Sequence, residues 1–437
     1  MKHALRLTLI TITALTALAG CAQAQRPKYV IVMISDGCGY NHVEASSLYQ
    51  FGTPEGWAYQ HFPVRVGMAH FASGGGYDPA LAWSDFNYVK KNPTDSAAAA
   101  TAMACGVKTY SGAIGVGLDK QPLQNILERA EEIGMASGVV TSVPFCHATP
   151  AGFLTHDASR GNYCAIANSM LMSKAEIVMG AGHPLYDDSG KLRPEAKYAY
   201  IAQPQWDQLS AGTLASDANG DSTPEAWKLI QTKAEFAALA EGDTPTRVAG
   251  IAQVGSTLQS GRAGDTKADA FAVPFNDNVP DLSQMTLAAF NVLDNDPDGF
   301  CIMIEGGAID WAAHSNLPGR MIEEEVDFSK AVEAVVRWVN RHSNWSETLL
   351  IVTGDHETGY LTGPGSDPEW KPLVGNGQGR MPGMEWHSGN HTNSLLPLYA
   401  KGVGADGFNR MIVQRDPMRG PYIDNTSIAK LIFAALR

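Results

Sequence analysis

Carboxylates and a histidine near the middle of the second half of the chain have spacings that suit metal ions. Glu305 is followed by Asp310 and His314. On a helix, residues four apart lie on the same face, so Asp310 and His314 could bind one ion. Glu305 precedes the helix and could reach a different ion. Taken alone, the cluster is equally compatible with a helix that carries an Asp–His pair and no metal.

Two further clusters have the same chemistry. Asp355 and His356 are adjacent in the run Thr-Gly-Asp-His-Glu-Thr-Gly of residues 353–359, whose glycines permit a turn that lets both side chains face one metal. His387 and His391 follow, and on spacing alone either histidine could be a ligand. The other histidines lack a comparable context and are expected to be structural or surface residues.

Ser96 is the candidate nucleophile, because it follows Asp95 at the start of an alanine-rich helical stretch. Unpaired N–H groups and the dipole at a helix N-terminus favour a phosphate and an alkoxide. The alternative is that Asp95 or Ser96 only caps the helix. Beside three clusters of metal ligands, the catalytic interpretation is favoured.

Four apolar runs lead into these residues and predict the elements that position them. The runs are residues 28–34 before Asp36, 138–143 before His147, 299–304 before Glu305, and 348–352 before Asp355. Helical stretches lie between them at residues 96–104, 123–133, 161–174 and 321–340. Strands that alternate with helices predict an α/β fold with a central, mostly parallel sheet flanked by helices. Ligands bind beyond the carboxyl ends of such strands, which is where these side chains lie.

Residues 180–279 are polar and rich in turns, with little periodicity. They are expected to form an inserted irregular region beside the active site. Residues 25–437 are otherwise expected to form a single domain.

The ordered set of motifs resembles the alkaline phosphatase family. The resemblance rests on Asp36-Gly37, Asp95-Ser96-Ala97, Thr149-Pro150-Ala151 with Arg160, residues 305–314, residues 353–356, and His391-Thr392. These motifs occur in the family's order and at roughly its spacing. One of them alone is weak evidence, whereas the ordered set is highly specific.

The resemblance implies a role for each matching residue. Asp310, His314 and His391 would hold one zinc ion, and His391 is preferred to His387 because it matches the family's His-Thr element. The remaining ligands are assigned in the same way: Asp36, Asp355 and His356 to a second zinc ion near Ser96, and Asp36, Thr149 and Glu305 to a third site that usually holds magnesium. Arg160 would bind the phosphate through both of its terminal nitrogens.

The resemblance also implies the reaction and the assembly. The protein is expected to hydrolyse phosphate monoesters through a phosphoserine on Ser96, with activity that rises toward alkaline pH, and to form a homodimer. Two residues beside the phosphate and the third site depart from some relatives, which carry Asp at the position of His147 and Lys or His at the position of Trp311. These departures leave the reaction class intact but put in doubt magnesium as the third ion, the phosphate affinity and the pH optimum.

The N-terminus predicts export. Lys2 and Arg6 precede an apolar run, and the run ends at Leu-Ala-Gly-Cys21, which resembles a lipoprotein signal with cleavage before Cys21 and a lipid on its thiol. Cleavage after Ala24 is the alternative. The mature protein is therefore expected in the periplasm or anchored by lipid to the bacterial cell envelope, with residues 1–24 removed as a signal peptide.

The net charge and the cysteines bear on nucleic-acid binding and on disulfides. The net charge of −13 argues against nucleic-acid binding and agrees with a chain rich in carboxylate ligands. Export permits disulfides, and Cys146 with Cys164 is the one pair proposed.

Other functions within reach of these motifs are a phosphodiesterase or sulfatase of the same superfamily, and a catalytically silent surface lipoprotein that binds zinc. A diesterase is expected to lack the ligands of the third site, but Asp36, Thr149 and Glu305 are all present. A sulfatase is expected to carry its own signature, which is absent around Ser96. Ser96 and Arg160 have no use in a silent zinc binder.

Overall fold

The computed structural model of the protein describes residues 26–218 and 222–437. The predicted leader, with its cleavage positions at Cys21 and Ala24, lies outside the described residues. In the part of the chain that is described, no helix is both long enough and apolar enough to cross a membrane.

Strands make up the centre of the molecule. Those within the described residues are β1 (Tyr29–Ser35), β2 (Val64–Ala69), β3 (Ala136–Pro144), β4 (Ile177–Ala181), β5 (Ala215–Ser216), β6 (Glu225–Ala226), β7 (Lys228–Ile230), β8 (Val248–Ile251), β9 (Phe300–Gly306), β10 (Thr348–Gly354), β11 (Glu357–Thr358), β12 (Leu361–Thr362), β13 (Glu385–Trp386), β14 (His391–Thr392), β15 (Leu396–Gly402), β16 (Gln414–Asp416) and β17 (Gly420–Asp424). Eleven of these form one sheet, in the order β16-β17-β2-β15-β10-β1-β9-β3-β4-β8-β7.

The sheet is parallel from β10 to β7, whereas β15 pairs antiparallel with both β10 and β2. The four apolar runs predicted as buried strands are β1, β3, β9 and β10, and they lie side by side at its centre. The predicted parallel α/β fold is therefore confirmed.

Helices cover both faces of the sheet. They are α1 (Tyr40–Phe51), α2 (Leu81–Ser84), α3 (Ser96–Cys105), α4 (Ile126–Glu132), α5 (Ala148–Leu154), α6 (Tyr163–Leu171), α7 (Gln203–Ser210), α8 (Lys233–Leu239), α9 (Leu282–Leu293), α10 (Ala308–His314), α11 (Pro318–His342) and α12 (Ser427–Ala435). Alternate residues of β1 enter two cores: Val30, Val32 and Ile34 pack with α3 to α6 and α12, and Tyr29, Ile31 and Met33 pack with α1, α9 and α11. Burial on both faces explains why these strands are continuously apolar.

Small residues let two helices approach each other closely behind the site. All ten residues of α3 are buried. A Cβ added to Gly152 of α5 would lie 2.8 Å from the Cβ of Ala100 in α3. The alanine run therefore serves close packing of α3 against α5 as well as helix formation.

Residues 180–279, expected to be irregular, contain more regular structure than their sequence suggests. β8 pairs with β4, and β7 pairs with β8, so both strands extend the edge of the main sheet. Strands of three and four residues are too short to produce a periodic pattern, which explains why the sequence did not predict them. The organisation of residues 25–437 as a single domain stays a prediction.

The Cys146–Cys164 disulfide is absent from the structure, in which both residues are free thiols. The Sγ of Cys146 donates a hydrogen bond to the carbonyl of Tyr200, and the Sγ of Cys164 lies 3.9 Å from the carbonyl of Tyr198. Each sulfur thus faces a backbone carbonyl, so the proposed pairing is not supported.

Candidate functional site

The site lies at the carboxyl edge of the four central strands. Ser35, the last residue of β1, is level with Gly354 of β10 on one side and Gly306 of β9 on the other. This register brings Asp36, Asp355 and Glu305 to the same height at the end of the sheet. All three carboxylates are fully buried.

Ser96 lies at the N-terminus of α3, as expected, and its side chain is only 2% exposed. Asp95 caps this helix, since its Oδ1 accepts a hydrogen bond of 3.1 Å from the backbone N–H of Ala98. The cap orients the helix so that the Oγ of Ser96 lies 3.1 Å from Nε2 of His356. The helix start therefore delivers a hydroxyl into the cluster of ligand candidates.

Among the described residues, Asp36, Asp355 and His356 form one of two groups whose ligand atoms converge closely enough to hold an ion. Nε2 of His356 lies 3.4 Å from Oδ1 of Asp36 and 3.2 Å from Oδ2 of Asp355. The other oxygen of Asp355 accepts hydrogen bonds from the N–H groups of Gly37 and His356. One oxygen of Asp355 is thus held by the backbone, while the other points into the site.

The second such group among the described residues is Asp310, His356 and His391. His314 lies beside Asp310 and His391. The Nε2 atoms of His314 and His391 are 3.0 Å apart, and they lie 3.4 Å and 3.6 Å from Oδ1 of Asp310. Nδ1 of His314 is 2.8 Å from the carbonyl of Gly389, and Nδ1 of His391 is 2.8 Å from that of Thr94. A carbonyl oxygen can only accept a hydrogen bond, so Nδ1 is the donor in both rings, and a neutral ring then keeps the Nε2 lone pair free.

A third group lies around Glu305. Thr141 Oγ1 donates to Oε2 of Glu305, but Oε1 has no partner among the described residues. Hydrogen-bond partners are also absent, among the described residues, for both oxygens of Asp36, Oγ1 of Thr149 and Nδ1 of His147, all of them buried. Buried polar atoms rarely lack a partner, so several at one place indicate a missing ligand.

Electrostatics within the cluster lead to the same inference. Burial is the largest of the effects that raise the pKa of Asp36 far above its usual value. Repulsion from Asp355, Asp310 and Glu305 raises it further. Burial and the Asp310 charge raise the pKa of Asp355 to about 7, and burial raises the pKa of Glu305. Burial also lowers the pKa of His356 and His391, which favours neutral imidazoles.

These residues fit metal ions. Four buried carboxylates lie together with three histidines, and no Lys or Arg pairs with Asp36, Asp310, Asp355 or Glu305 among the described residues. Uncompensated buried carboxylates are costly, and cations at this place would remove that cost. A mixed set of carboxylate oxygens and imidazole nitrogens suits zinc, whereas the oxygens of Asp36, Thr149 and Glu305 suit a harder ion.

A cavity of about 490 Å³ opens over these groups. Its lining contains Ser96, His147, Arg160, Asp310, Trp311, His314, Asn390 and His391. Nη1 of Arg160 donates a hydrogen bond of 3.1 Å to Oδ2 of Asp95, which fixes the guanidinium beside Ser96. Its remaining N–H groups can serve a bound anion.

His147 and Trp311 form an aromatic wall of the cavity. Their ring centroids are 5.5 Å apart, and Tyr163 stacks on the other side of His147. Burial, with Arg160 nearby, lowers the pKa of His147 to about 3, so its ring is neutral. No carboxylate or lysine occupies these two positions.

Sequence reasoning missed Thr358 and Asn390, besides Thr141 beside Glu305. Thr358 Oγ1 donates a hydrogen bond of 2.6 Å to Oδ1 of Asp310, and Asn390 lines the cavity. Thr358 lies two residues after His356, and Asn390 lies directly before His391. This closeness in the sequence is the signal that could have identified them. His387, the alternative to His391, lies elsewhere, with its Nε2 2.8 Å from Oγ1 of Thr362.

Comparison with known proteins gives a consistent family assignment. The sequence profile described as "Alkaline phosphatase" matches residues 27–381. Alkaline phosphatase 3 of Bacillus subtilis (strain 168) is 31% identical over 358 residues, which are 78% of this chain and 64% of that protein. Alkaline phosphatase of Escherichia coli (strain K12) is 29% identical over 362 residues, or 75% of this chain and 70% of that protein. The chain thus spans slightly less than two thirds of the Bacillus relative.

Solved structures share the fold. A cold-active alkaline phosphatase from the psychrophile Shewanella sp. superposes with a TM-score of 0.67 at 25% identity, covering 94% of this chain and 100% of that one. The alkaline phosphatase from the Antarctic bacterium TAB5 gives a TM-score of 0.62 at 24% identity, over 95% and 99% of the two chains. These similarities extend over nearly the whole chain.

Proposed function

The chain belongs to the alkaline phosphatase family, and from this premise we propose that it hydrolyses phosphate monoesters through a phosphoserine on Ser96. One observation carries the proposal: the Ser96 hydroxyl, at a helix N-terminus, lies within 3.1 Å of a ligand candidate in a cavity that Arg160 also lines. A nucleophile, an anion-binding guanidinium and clustered metal ligands are the parts that phosphoryl transfer needs.

The three sets of residues named from the family resemblance would hold three metal ions. Asp310, His314 and His391 would hold one Zn²⁺, and Asp36, Asp355 and His356 a second. Asp36, Thr149 and Glu305 would hold Mg²⁺ at the third site. The second set is supported by the convergence of Asp36, Asp355 and His356. The first is supported by the short distances among Asp310, His314 and His391, and the third by the unpartnered oxygens. When bound, such ions act as Lewis acids that lower the pKa of the serine hydroxyl and of water and stabilise charge on the leaving oxygen.

The chain's own residues then perform two displacements. Arg160 binds two non-bridging oxygens of the phosphate and orients phosphorus toward Ser96. Oγ of Ser96 passes its proton to solvent and attacks phosphorus. The bond to the ester oxygen breaks, and that oxygen takes a proton from solvent and leaves as the alcohol. A water molecule next attacks phosphorus, the Oγ–P bond breaks, and phosphate and the free serine are released.

The neutral His147 and the Trp311 ring modify the third site. His147 replaces a carboxylate, so it adds no negative charge beside the third ion. Trp311 replaces a cation, so it adds no positive charge beside the phosphate. We therefore expect weaker magnesium binding and weaker phosphate binding than a carboxylate and a lysine at these positions would give.

We also propose that the protein is exported and anchored through a lipid on Cys21, and that it forms a homodimer. The lipobox-like residues before Cys21 support the first part, and the family resemblance supports the second. Mass spectrometry of the mature N-terminus distinguishes acylated Cys21 from cleavage after Ala24.

Trapping of the covalent intermediate tests the proposed mechanism. Zinc-loaded protein is mixed with a phosphate monoester carrying radioactive phosphorus, quenched in acid and digested. We expect the label on the peptide that contains Ser96. Ser96→Ala should carry no label and should lose at least about 10³-fold in activity, since the nucleophile is gone.

The exposed Ser84 provides the matched control. Ser84→Ala should keep both the label and the activity. Label on any other residue, or undiminished turnover by Ser96→Ala, would exclude Ser96 as the nucleophile.

A further inference from the structure

A second cavity, of about 370 Å³, lies between the loop of residues 271–281 and helix α11. It shares no lining residue with the cavity over Ser96. Five carboxylates and two lysines line it, namely Asp277, Asp281, Glu323, Glu324, Asp327, Lys233 and Lys330. The lining therefore has an excess of negative charge.

Glu324 is the exceptional group in this cavity. Its side chain is only 4% exposed, and its Oε1 has no hydrogen-bond partner among the described residues. The neighbouring arginines do not satisfy it, because Arg262 donates to Glu323 at 2.9 Å and Arg320 contacts the same oxygen at 3.4 Å. Burial and repulsion from Asp327 and Glu323 raise the pKa of Glu324 to about 8. A buried carboxyl oxygen without a partner indicates a donor that is missing.

The mouth of the cavity is aromatic and open to solvent. Phe271 and Phe275 are 39% and 45% exposed, and their rings contact each other edge to face at 5.8 Å. Tyr49 stacks on Phe271 at 5.6 Å. The guanidinium of Arg262 already lies over the Phe275 ring, 4.5 Å from its centroid. The exposed rings therefore offer an apolar surface for a ligand, and the carboxylates below them offer a place for its positive charge.

The arrangement disfavours a bare metal ion. Among the described residues, the groups whose ligand atoms converge within ion-binding distance are the two at the functional site, and none involves Glu324. An organic cation spans a wider cavity than a single ion does, and an ammonium group supplies the N–H donor that Oε1 of Glu324 lacks.

We propose that this cavity binds a primary organic ammonium whose charged head is held by Glu324 and Asp327 and whose apolar body lies against Phe271 and Phe275. The site is separate from the proposed catalytic centre, so the proposal is independent of the phosphatase reaction.

Calorimetric titration of the full chain with 2-phenylethylamine tests it. At about pH 8 this amine is protonated, as lysine side chains are. We expect one binding site, no binding of the neutral analogue 2-phenylethanol, and affinity at least about tenfold lower in Glu324→Gln, which keeps the shape but removes the charge. Phe271→Ala, at the exposed mouth, should weaken binding about threefold without affecting the fold.

Glu333→Gln is the control, because Glu333 lies on the same helix, is partly exposed and pairs with Arg337 outside the cavity. It should bind the amine as the parent protein does, and thermal melting should show that all three variants fold. The proposal is overturned if the parent protein does not bind the amine or binds the alcohol equally well. Unchanged affinity in Glu324→Gln, or calcium displacing the amine from the site, would also overturn it.

Discussion

At the scale of single residues, Asp95 joins the parts of the site that the proposed reaction uses. Its Oδ1 caps α3 through the N–H of Ala98, both of its oxygens accept from the N–H of Gly112, and its Oδ2 pairs with Arg160. One carboxylate thus fixes the helix that carries Ser96 and the guanidinium beside it.

Two substitutions of Asp95 separate these tasks. Asp95→Asn keeps an oxygen for the cap but loses the charge that holds Arg160. We expect the unfolding free energy to change by less than about 1 kcal/mol, and the inhibition constant for inorganic phosphate to rise about threefold to tenfold. Asp95→Ala should weaken phosphate binding as well and should cost a further 1 to 2 kcal/mol or so of stability.

Phosphate inhibition assays and urea unfolding measure the two effects. Asp85→Asn, which removes an exposed partner of Lys91, is the control and should change neither quantity. Equal phosphate affinity in Asp95→Asn and the parent protein would show that the ion pair does not position Arg160.

Sequence reasoning named most of the residues that the structure brings together, because Asp, Glu and His at the ends of apolar strands form a chemically distinctive pattern. It could not choose between His387 and His391 by spacing, since the choice depends on β14 pairing with β11 beside Asp310. Thr358 was missed because a hydroxyl that supports Asp310 has no pattern of its own in the sequence.

At the scale of elements, the close approach of the β1–α1 turn to α10 depends on Gly37. Its φ is +75°, and a Cβ at this position would lie 2.6 Å from Cα of Asp310. Glycine alone adopts such a conformation at low cost and leaves room for Asp310.

We expect Gly37→Ala to lose about 1 to 3 kcal/mol of stability and to bind zinc more weakly, because Asp310 must move. Gly76→Ala is the control, since nothing lies within 4 Å of the added methyl group. Chemical unfolding and zinc titration measure the two effects. Unchanged zinc affinity in Gly37→Ala would contradict the close-packing argument.

The crowding of carboxylates at the ends of β1, β9 and β10 predicts how stability depends on pH. In the chelated protein, the folded state holds Asp355 with a pKa near 7, whereas the unfolded value is near 3.8. The folded state therefore binds more protons between these values, and its stability falls as the pH rises from about 4 to about 7. Zinc bound as proposed would remove this dependence, because the carboxylates would then be ligands.

We accordingly expect the difference in Tm between zinc-loaded and chelated protein to widen as the pH rises from about 5 to about 7.5. Calorimetric scans of both forms in matched buffers measure it, and the comparison cancels the titration of groups outside the site. A difference that is constant or narrows over this range would contradict the electrostatic account of the cluster.

At the scale of the whole molecule, the central sheet could be predicted and its edges could not. β1, β3, β9 and β10 are buried on both faces and are therefore continuously apolar, which the sequence displays. β7 and β8 are short, lie at the edge, and pair with partners distant along the chain. Non-local pairing of this kind leaves little trace in a single sequence.

Hydrolysis of p-nitrophenyl phosphate beside bis-p-nitrophenyl phosphate, from neutral to strongly alkaline pH, tests the proposed function most directly. The protein is assayed zinc-loaded, after chelation, and after zinc is restored. We predict zinc-dependent hydrolysis of the monoester that rises toward alkaline pH, because Ser96 and water must lose protons, with the diester cleaved far more slowly. Faster cleavage of the diester, or no hydrolysis by the zinc-loaded protein, would contradict the assignment as a phosphate-monoester hydrolase.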